Sequence, residues 1–106
     1  MLQAIKTLLG FGPAVDYSEL LRQGAMIVDV RSASEYAQGH IKGSLHIPLD
    51  TLASNLHKLK NKDAPIITCC ASGMRSASAK GVLQAQGYTH VYNGGGWQSL
   101  QQKLRR

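Results

Sequence analysis

Cys70 and Arg75 bracket a stretch, Cys70-Ala71-Ser72-Gly73-Met74-Arg75, rich in small and permissive residues. It follows the apolar run Pro65-Ile66-Ile67-Thr68-Cys69 and precedes a helix-prone segment from Ser76 to Gln86. A cysteine just beyond a buried strand, ahead of a helix, stands where ligands gather in open α/β sheets. Ala71, Ser72 and Gly73 allow the backbone to curl its N–H groups around one centre as an anion nest. The following helix adds unpaired N–H groups and the positive end of its dipole. Arg75 closes the loop with a planar fork suited to oxyanions. All of this favours thiolate over thiol. An unperturbed cysteine, with a pKa near 8.5, is only a few per cent ionised around neutral pH. Lowering that pKa by about two units takes roughly 2.7 kcal/mol of differential stabilisation, which several N–H groups and an arginine can supply. The chemistry indicated is nucleophilic attack by Cys70 from within an oxyanion-binding cradle.

Other reactive side chains have plainer readings. Asp29 and Arg31 stand at the end of another apolar run and are expected to support the loop through hydrogen bonds and an ion pair. His40 and His46 share no zinc-motif spacing with the cysteines, and a thiolate already formed needs no base, so turn and packing roles are expected for both. His57 and His90 read as surface residues. Ser72, Ser76 and Ser78 read as loop hydrogen-bonders and helix caps, with Ser72 within reach of a substrate. Trp97 is expected beside the site with its indole N–H on a polar partner. Cys69 and Cys70 are the only cysteines. Neighbouring Cα atoms lie about 3.8 Å apart, below the usual disulfide range. Two free thiols point to a reducing compartment, with Cys69 turned into packing.

Elements must hold these groups in place. Leu2, Ile5, Leu8 and Leu9 recur at helical spacing and predict a short N-terminal helix, within an extension over 1–12. Ser18 can cap a second helix through Glu19-Leu20-Leu21-Arg22, closed by Gly24. Ala25–Val30 is a strand candidate buried on both faces. Ser32-Ala33-Ser34-Glu35 has capping-box spacing for a helix to Gln38. Leu45-His46-Ile47 is a short strand stopped by Pro48. Leu52, Leu56 and Leu59 share a helical face. His90–Asn93 is a final strand, and Gly94-Gly95-Gly96 leads into a helix from Trp97. Strands alternating with helices predict one α/β domain over 1–106, with a central parallel sheet of about five strands covered by helices on both faces.

Composition bounds the rest. With 43% hydrophobic and 17% charged residues in 106, the chain suits one globular domain and not a disordered segment. A net charge of +6 attracts anions. The basic residues are dispersed, at Lys58, Lys60 and Lys62 and again at Lys103, Arg105 and Arg106, and do not alternate with aromatics as a nucleic-acid stacking surface requires. No stretch is long enough to span a bilayer. The first residues lack a basic n-region and a cleavage site, so no leader is read there. The expected location is cytoplasmic, with no nucleic-acid or membrane partner.

Three stretches, in order, carry a family resemblance: Asp29-Val30-Arg31, then Glu35 to Pro48 with its Gly39-His40-Ile41-Lys42-Gly43, then Cys70 to Ser76. Together with the glycines before Trp97 they resemble a single-domain rhodanese-like sulfurtransferase from about Val15 onward. The resemblance implies that Cys70 takes sulfur from a small anionic donor such as thiosulfate. It further implies that the loop N–H groups of Ala71, Ser72, Gly73, Met74 and Arg75 hold the resulting persulfide, and that a thiol, a protein acceptor or cyanide receives the sulfur. No metal or organic cofactor is implied. Two departures stand out: Leu100 occupies a place where many members have tryptophan, and Arg75 is the only basic residue of the loop. The same fold and loop type occur in cell-cycle phosphatases and some arsenate reductases, with five residues between Cys and Arg. Four separate them here, a tighter ring suited to sulfur. A non-catalytic or carrier module that binds, or delivers sulfur to, a protein partner is the alternative reading, although such binding modules commonly lack the cysteine.

Overall fold

A computed structural model describes residues 14–105. The helix expected over Leu2–Leu9 lies outside the described residues. The domain is α/β, as expected, with helices α1 (Tyr17–Arg22), α2 (Ala33–Gln38), α3 (Met74–Ala85) and α4 (Trp97–Leu104). Strands β1 (Met26–Asp29), β2 (Leu45–His46), β3 (Ile66–Cys70) and β4 (Val91–Gly96) form one sheet in the order β2-β1-β3-β4. Every pairing is parallel. The described residues thus hold four strands and not about five, the four being those the apolar runs mark.

Alternation along β1 and β3 divides the core. Val28, Val30, Ile66 and Cys70 face one side, packed with Leu52, Ala79, Leu83 and Val91. Ile27, Ile67 and Cys69 face the other, packed with Ile41 and Leu100 beneath Leu20, Trp97 and Leu104. A strand buried on both faces requires this run of apolar residues, which is why β3 reads as Ile-Ile-Thr-Cys-Cys. The chain leaves β1 for β2 on one side and then crosses to β3 on the other. The carboxyl ends of β1 and β3 therefore flank a topological switch point, where the connecting segments diverge and leave a crevice. Asp29 and Cys70 end those two strands.

Local chemistry shifts several boundaries. The cap of α1 is Asp16, whose side chain accepts the Glu19 N–H at 3.0 Å, and not Ser18. The capping box at Ser32 and Glu35 forms as expected. Leu52, Leu56 and Leu59 do face the core, but from two 3-10 turns, Leu49–Ser54 and Leu56–Lys58, and the residue that follows the second, and not from an α-helix. The tighter winding keeps leucines three and four apart on one side in either form, so spacing alone cannot separate the two. Strand β3 extends one residue further than expected, to Cys70, and α3 begins two residues earlier, at Met74.

Candidate active site

The loop between β3 and α3 is only Ala71, Ser72 and Gly73 long, so the chain must reverse sharply after Cys70. Gly73 does this with φ of +103°, in the region glycine alone enters freely. The reversal folds the first turn of α3 back over the cysteine. The Gly73 N–H donates to Cys70 Sγ at 3.0 Å and the Ser76 N–H donates at 3.3 Å. Ser76 Oγ lies 3.4 Å from the same sulfur. Ala71, Ser72 and Met74 are exposed while Cys70 itself is 1% exposed, so the sulfur sits beneath its own loop. Burial by itself pushes the thiol up. The Ser76 hydroxyl and the N–H groups of Ser76, Gly73 and Ser72 outweigh it and hold Cys70 below its ordinary value. Cys69, next along the strand and facing the other way, has no such cradle. Burial and the Asp29 carboxylate push it up to about 12, leaving a packed, protonated thiol. Both cysteines are free.

Asn93 on β4 holds this loop from the far side. Its Nδ2 donates to the Gly73 carbonyl at 3.1 Å, and its Oδ1 accepts from Ser76 Oγ at 2.6 Å and from the Gly95 N–H at 2.9 Å. Thr68 Oγ1 donates to the Ser76 carbonyl at 2.9 Å, tying the first turn of α3 to β3. The glycines of β4 make room for the contact. A Cβ on Gly96 would stand 2.8 Å from the Ala71 carbonyl oxygen. Ser76 is therefore a buried residue of the helix, not its cap. Ser76 makes the loop hydrogen bonds expected of it, while Asn93 does not stand out in the sequence as a site residue. The available signal for Asn93 was an amide closing the short strand read over His90–Asn93.

The other end of the loop is held through charges. Arg75 places both guanidinium nitrogens on Glu35, at 2.7 and 2.9 Å. Those hydrogen bonds, with others from the Ser32 N–H and hydroxyl, bring the Glu35 carboxyl from 4.5 to about 2. The fork expected to face an incoming anion is thus occupied by a carboxylate. Asp29 and Arg31 form a buried pair at 2.8 Å. Arg31 also donates to the Gly39 carbonyl at 2.7 Å and to the Glu35 carbonyl at 3.3 Å. Arg31 is thereby bonded to α2 and to the turn after it, and α2 presents Glu35 to Arg75. Trp97 lies beside this pair with the Arg31 guanidinium 4.8 Å over its ring, so the ring face makes the polar contact. His40 and His46 stack on either side of the structure's Tyr36, at centroid distances of 3.7 and 4.4 Å, in the packing role expected. His57 and His90 are exposed.

A cleft of about 330 Å³ adjoins the loop, walled by Val30, Pro48 and Leu49 and edged by Ser32, Asp50 and Arg75. A larger one, about 480 Å³, is lined by residues 14–18 and Lys103 and includes no residue of the cysteine loop.

Known proteins resemble this chain in sequence and in fold. The thiosulfate sulfurtransferase GlpE of Pseudomonas fluorescens strain SBW25 is 38% identical over 79 residues, covering 74% of this chain and 72% of its own. The thiosulfate sulfurtransferase PspE of Escherichia coli K12 is 34% identical over 74 residues, 69% of this chain and 71% of its own. Among solved structures, the human single-domain sulfurtransferase TSTD1 aligns with a TM-score of 0.73 at 29% identity, over 87% of this chain and 97% of its own. A rhodanese with anions from E. coli aligns at 0.68 with 33% identity, over 71% and 89%. Residues 14–103 match the rhodanese-like domain, and the chain belongs to that family.

Proposed function

We propose that the protein is a rhodanese-type sulfurtransferase that carries sulfane sulfur as a persulfide on Cys70. The observation that carries this reading is the pair of backbone N–H groups, from Gly73 and Ser76, directed at Cys70 Sγ at 3.0 and 3.3 Å. Such donors stabilise a sulfur anion without giving up a proton. In the first step the Cys70 thiolate attacks the outer sulfur of a donor such as thiosulfate. The donor S–S bond breaks, sulfite departs with the electron pair, and the persulfide anion stays in the cradle. In the second step the persulfide anion takes up a proton from solvent, cyanide or a thiolate attacks its outer sulfur, and the product returns the proton to solvent. The Sγ–S bond breaks, and Cys70 leaves as the thiolate with which the cycle began. One activated nucleophile suffices for both steps, and no metal or cofactor enters.

Ala71, Ser72, Gly73, Met74 and Arg75 frame the persulfide, while Asp29 and Arg31 support the loop through α2. The buried, free cysteines support a reducing compartment, and the cytoplasm is the location we infer. No helix among the described residues is long and apolar enough to cross a membrane.

Steady-state thiocyanate formation from thiosulfate and cyanide tests the reading. Parallel double-reciprocal lines are expected, with activity abolished in Cys70→Ser and retained in Cys69→Ser. Activity surviving in Cys70→Ser overturns it.

A further inference from the structure

Ser76 has one hydroxyl proton and two candidate acceptors. Its Oγ lies 2.6 Å from Asn93 Oδ1 and 3.4 Å from Cys70 Sγ. With Cys70 a thiol, the arrangement is self-consistent. The S–H donates to Ser76 Oγ, and the Ser76 O–H donates to Asn93 Oδ1, which also takes the Gly95 N–H. With Cys70 a thiolate, the sulfur has no proton to give and is the stronger acceptor. The Ser76 proton must then turn away from Asn93. Asn93 Oδ1 keeps Gly95 as a donor, so the turn leaves no buried polar group unpaired.

We propose that Ser76 and Asn93 form a two-position hydroxyl switch, in which Asn93 holds the Ser76 proton while Cys70 is a thiol and releases it to the sulfur whenever that sulfur is charged. This rests on the sulfurtransferase reading and assigns two residues to it. Ser76 touches the reacting sulfur and is a catalytic residue. Asn93 acts through Ser76 and is a positioning residue. The charged sulfur is one state met at both ends of the turnover, as the thiolate that attacks the donor and as the thiolate released when the acceptor takes the outer sulfur. Asn93 competes for the proton and so favours the thiol, while its Nδ2 on the Gly73 carbonyl keeps the Gly73 N–H on Sγ and favours the thiolate. These opposing effects can be separated, because only the first passes through the Ser76 hydroxyl.

Charged groups around Cys70 are Arg75 on α3, paired with Glu35 from α2, and Asp29 at the end of β1, paired with Arg31. Cys69 adjoins it on β3 and stays protonated. All are unchanged in the comparison that follows.

The test is a double-mutant cycle on the Cys70 pKa, read from the pH dependence of iodoacetamide alkylation of the free protein and checked for folding by circular dichroism. The proteins are the parent, Ser76→Ala, Asn93→Ala and the double variant. Ser76→Ala raises the pKa. Asn93→Ala lowers the pKa more, or raises it less, when Ser76 is present than when it is absent. The expected coupling is about half to one pKa unit, a three- to tenfold change in the thiolate-to-thiol ratio. An asparagine that only braces the loop gives the same shift in both backgrounds, and that additive result overturns the switch. Should Asn93→Ala not fold, Asn93→Asp replaces it. Its charge grips the hydroxyl harder, so the coupling takes the opposite sign, and additivity again overturns the proposal. No sulfur donor is used, so a failed cycle and a failed sulfurtransferase assay are separate outcomes.

Discussion

Glu35 receives the Ser32 N–H at its own helix start and both arms of Arg75 from a helix forty residues away. A carboxyl held at about 2 in the folded chain and at 4.5 otherwise contributes stability that is whole above pH 4.5 and drains away as pH falls toward 2. Glu35→Gln is therefore expected to melt below the parent at pH 6, with the gap narrowing between pH 4.5 and 2, as followed by thermal unfolding. A gap independent of pH contradicts the pair's importance. The buried Asp29–Arg31 pair behaves differently, because Arg31→Ala leaves a carboxylate with no counter-charge. Its expected cost is about 3–5 kcal/mol in denaturant unfolding, with activity falling as α2 loosens. At the cysteines, alkylation near pH 8 should modify Cys70 once per chain and leave Cys69 untouched, since the latter's thiol stands at about 12. Peptide mass mapping decides this. Much of this chemistry was legible in residue type: Cys70, the short permissive loop and Asp29 with Arg31. Arg75's engagement by Glu35 was not, because a capping-box glutamate satisfies a local pattern completely and gives no sign of a distant partner.

Strand β4 and the β3–α3 loop come together through missing side chains. A Cβ on Gly94 would meet the Thr68 carbonyl at 2.9 Å, Ile67 Cγ2 at 2.8 Å and Leu100 Cδ2 at 2.9 Å, all in the packed interior. One on Gly96 would press the Ala71 carbonyl at 2.8 Å, inside the cysteine loop. The two substitutions should separate stability from activity. Gly94→Ala is expected to cost about 1–3 kcal/mol by overpacking while the folded fraction keeps its turnover. Gly96→Ala is expected to lower turnover more than it lowers the melting temperature, because the loop yields before the core does. Equal losses in both variants, measured by thiocyanate formation and thermal melts, contradict this division. At this scale the sequence announced β1 and β3 through their unbroken apolar runs and α2 through its cap. It misled between Leu49 and Lys58, where leucine spacing fits an α-helix and 3-10 turns alike. It also ended β4 at Asn93, since three glycines suggest a turn wherever no neighbour explains their bareness.

Across the whole molecule, a net positive charge accompanies a site whose own arginine is paired with a carboxylate. The net charge of +6 raises the local concentration of anions, whereas the adjoining cleft carries Arg75 already paired and the exposed Asp50. Attraction of a dianionic donor is therefore long-range and screenable. The kcat/KM for thiosulfate is expected to fall as ionic strength rises from about 0.01 to 0.15 M, where the Debye length shortens from roughly 30 to 8 Å, with kcat nearly constant. A salt-independent kcat/KM would instead place the attraction in direct contacts at the site. Fold class and the two-sided core followed from alternation of apolar and helical segments. The Asn93 clamp did not, because it depends on β4 lying beside β3, a pairing between residues more than twenty apart that no local pattern encodes.

Sulfur is proposed to ride on Cys70. Intact-mass measurement after incubation with thiosulfate, on the parent, Cys69→Ser and Cys70→Ser, tests it most directly. A gain of about 32 Da, one sulfur atom, in the parent and Cys69→Ser and none in Cys70→Ser is the predicted result. The same gain in Cys70→Ser, or none in any of the three with thiosulfate, mercaptopyruvate or a glutathione persulfide as donor, contradicts the account.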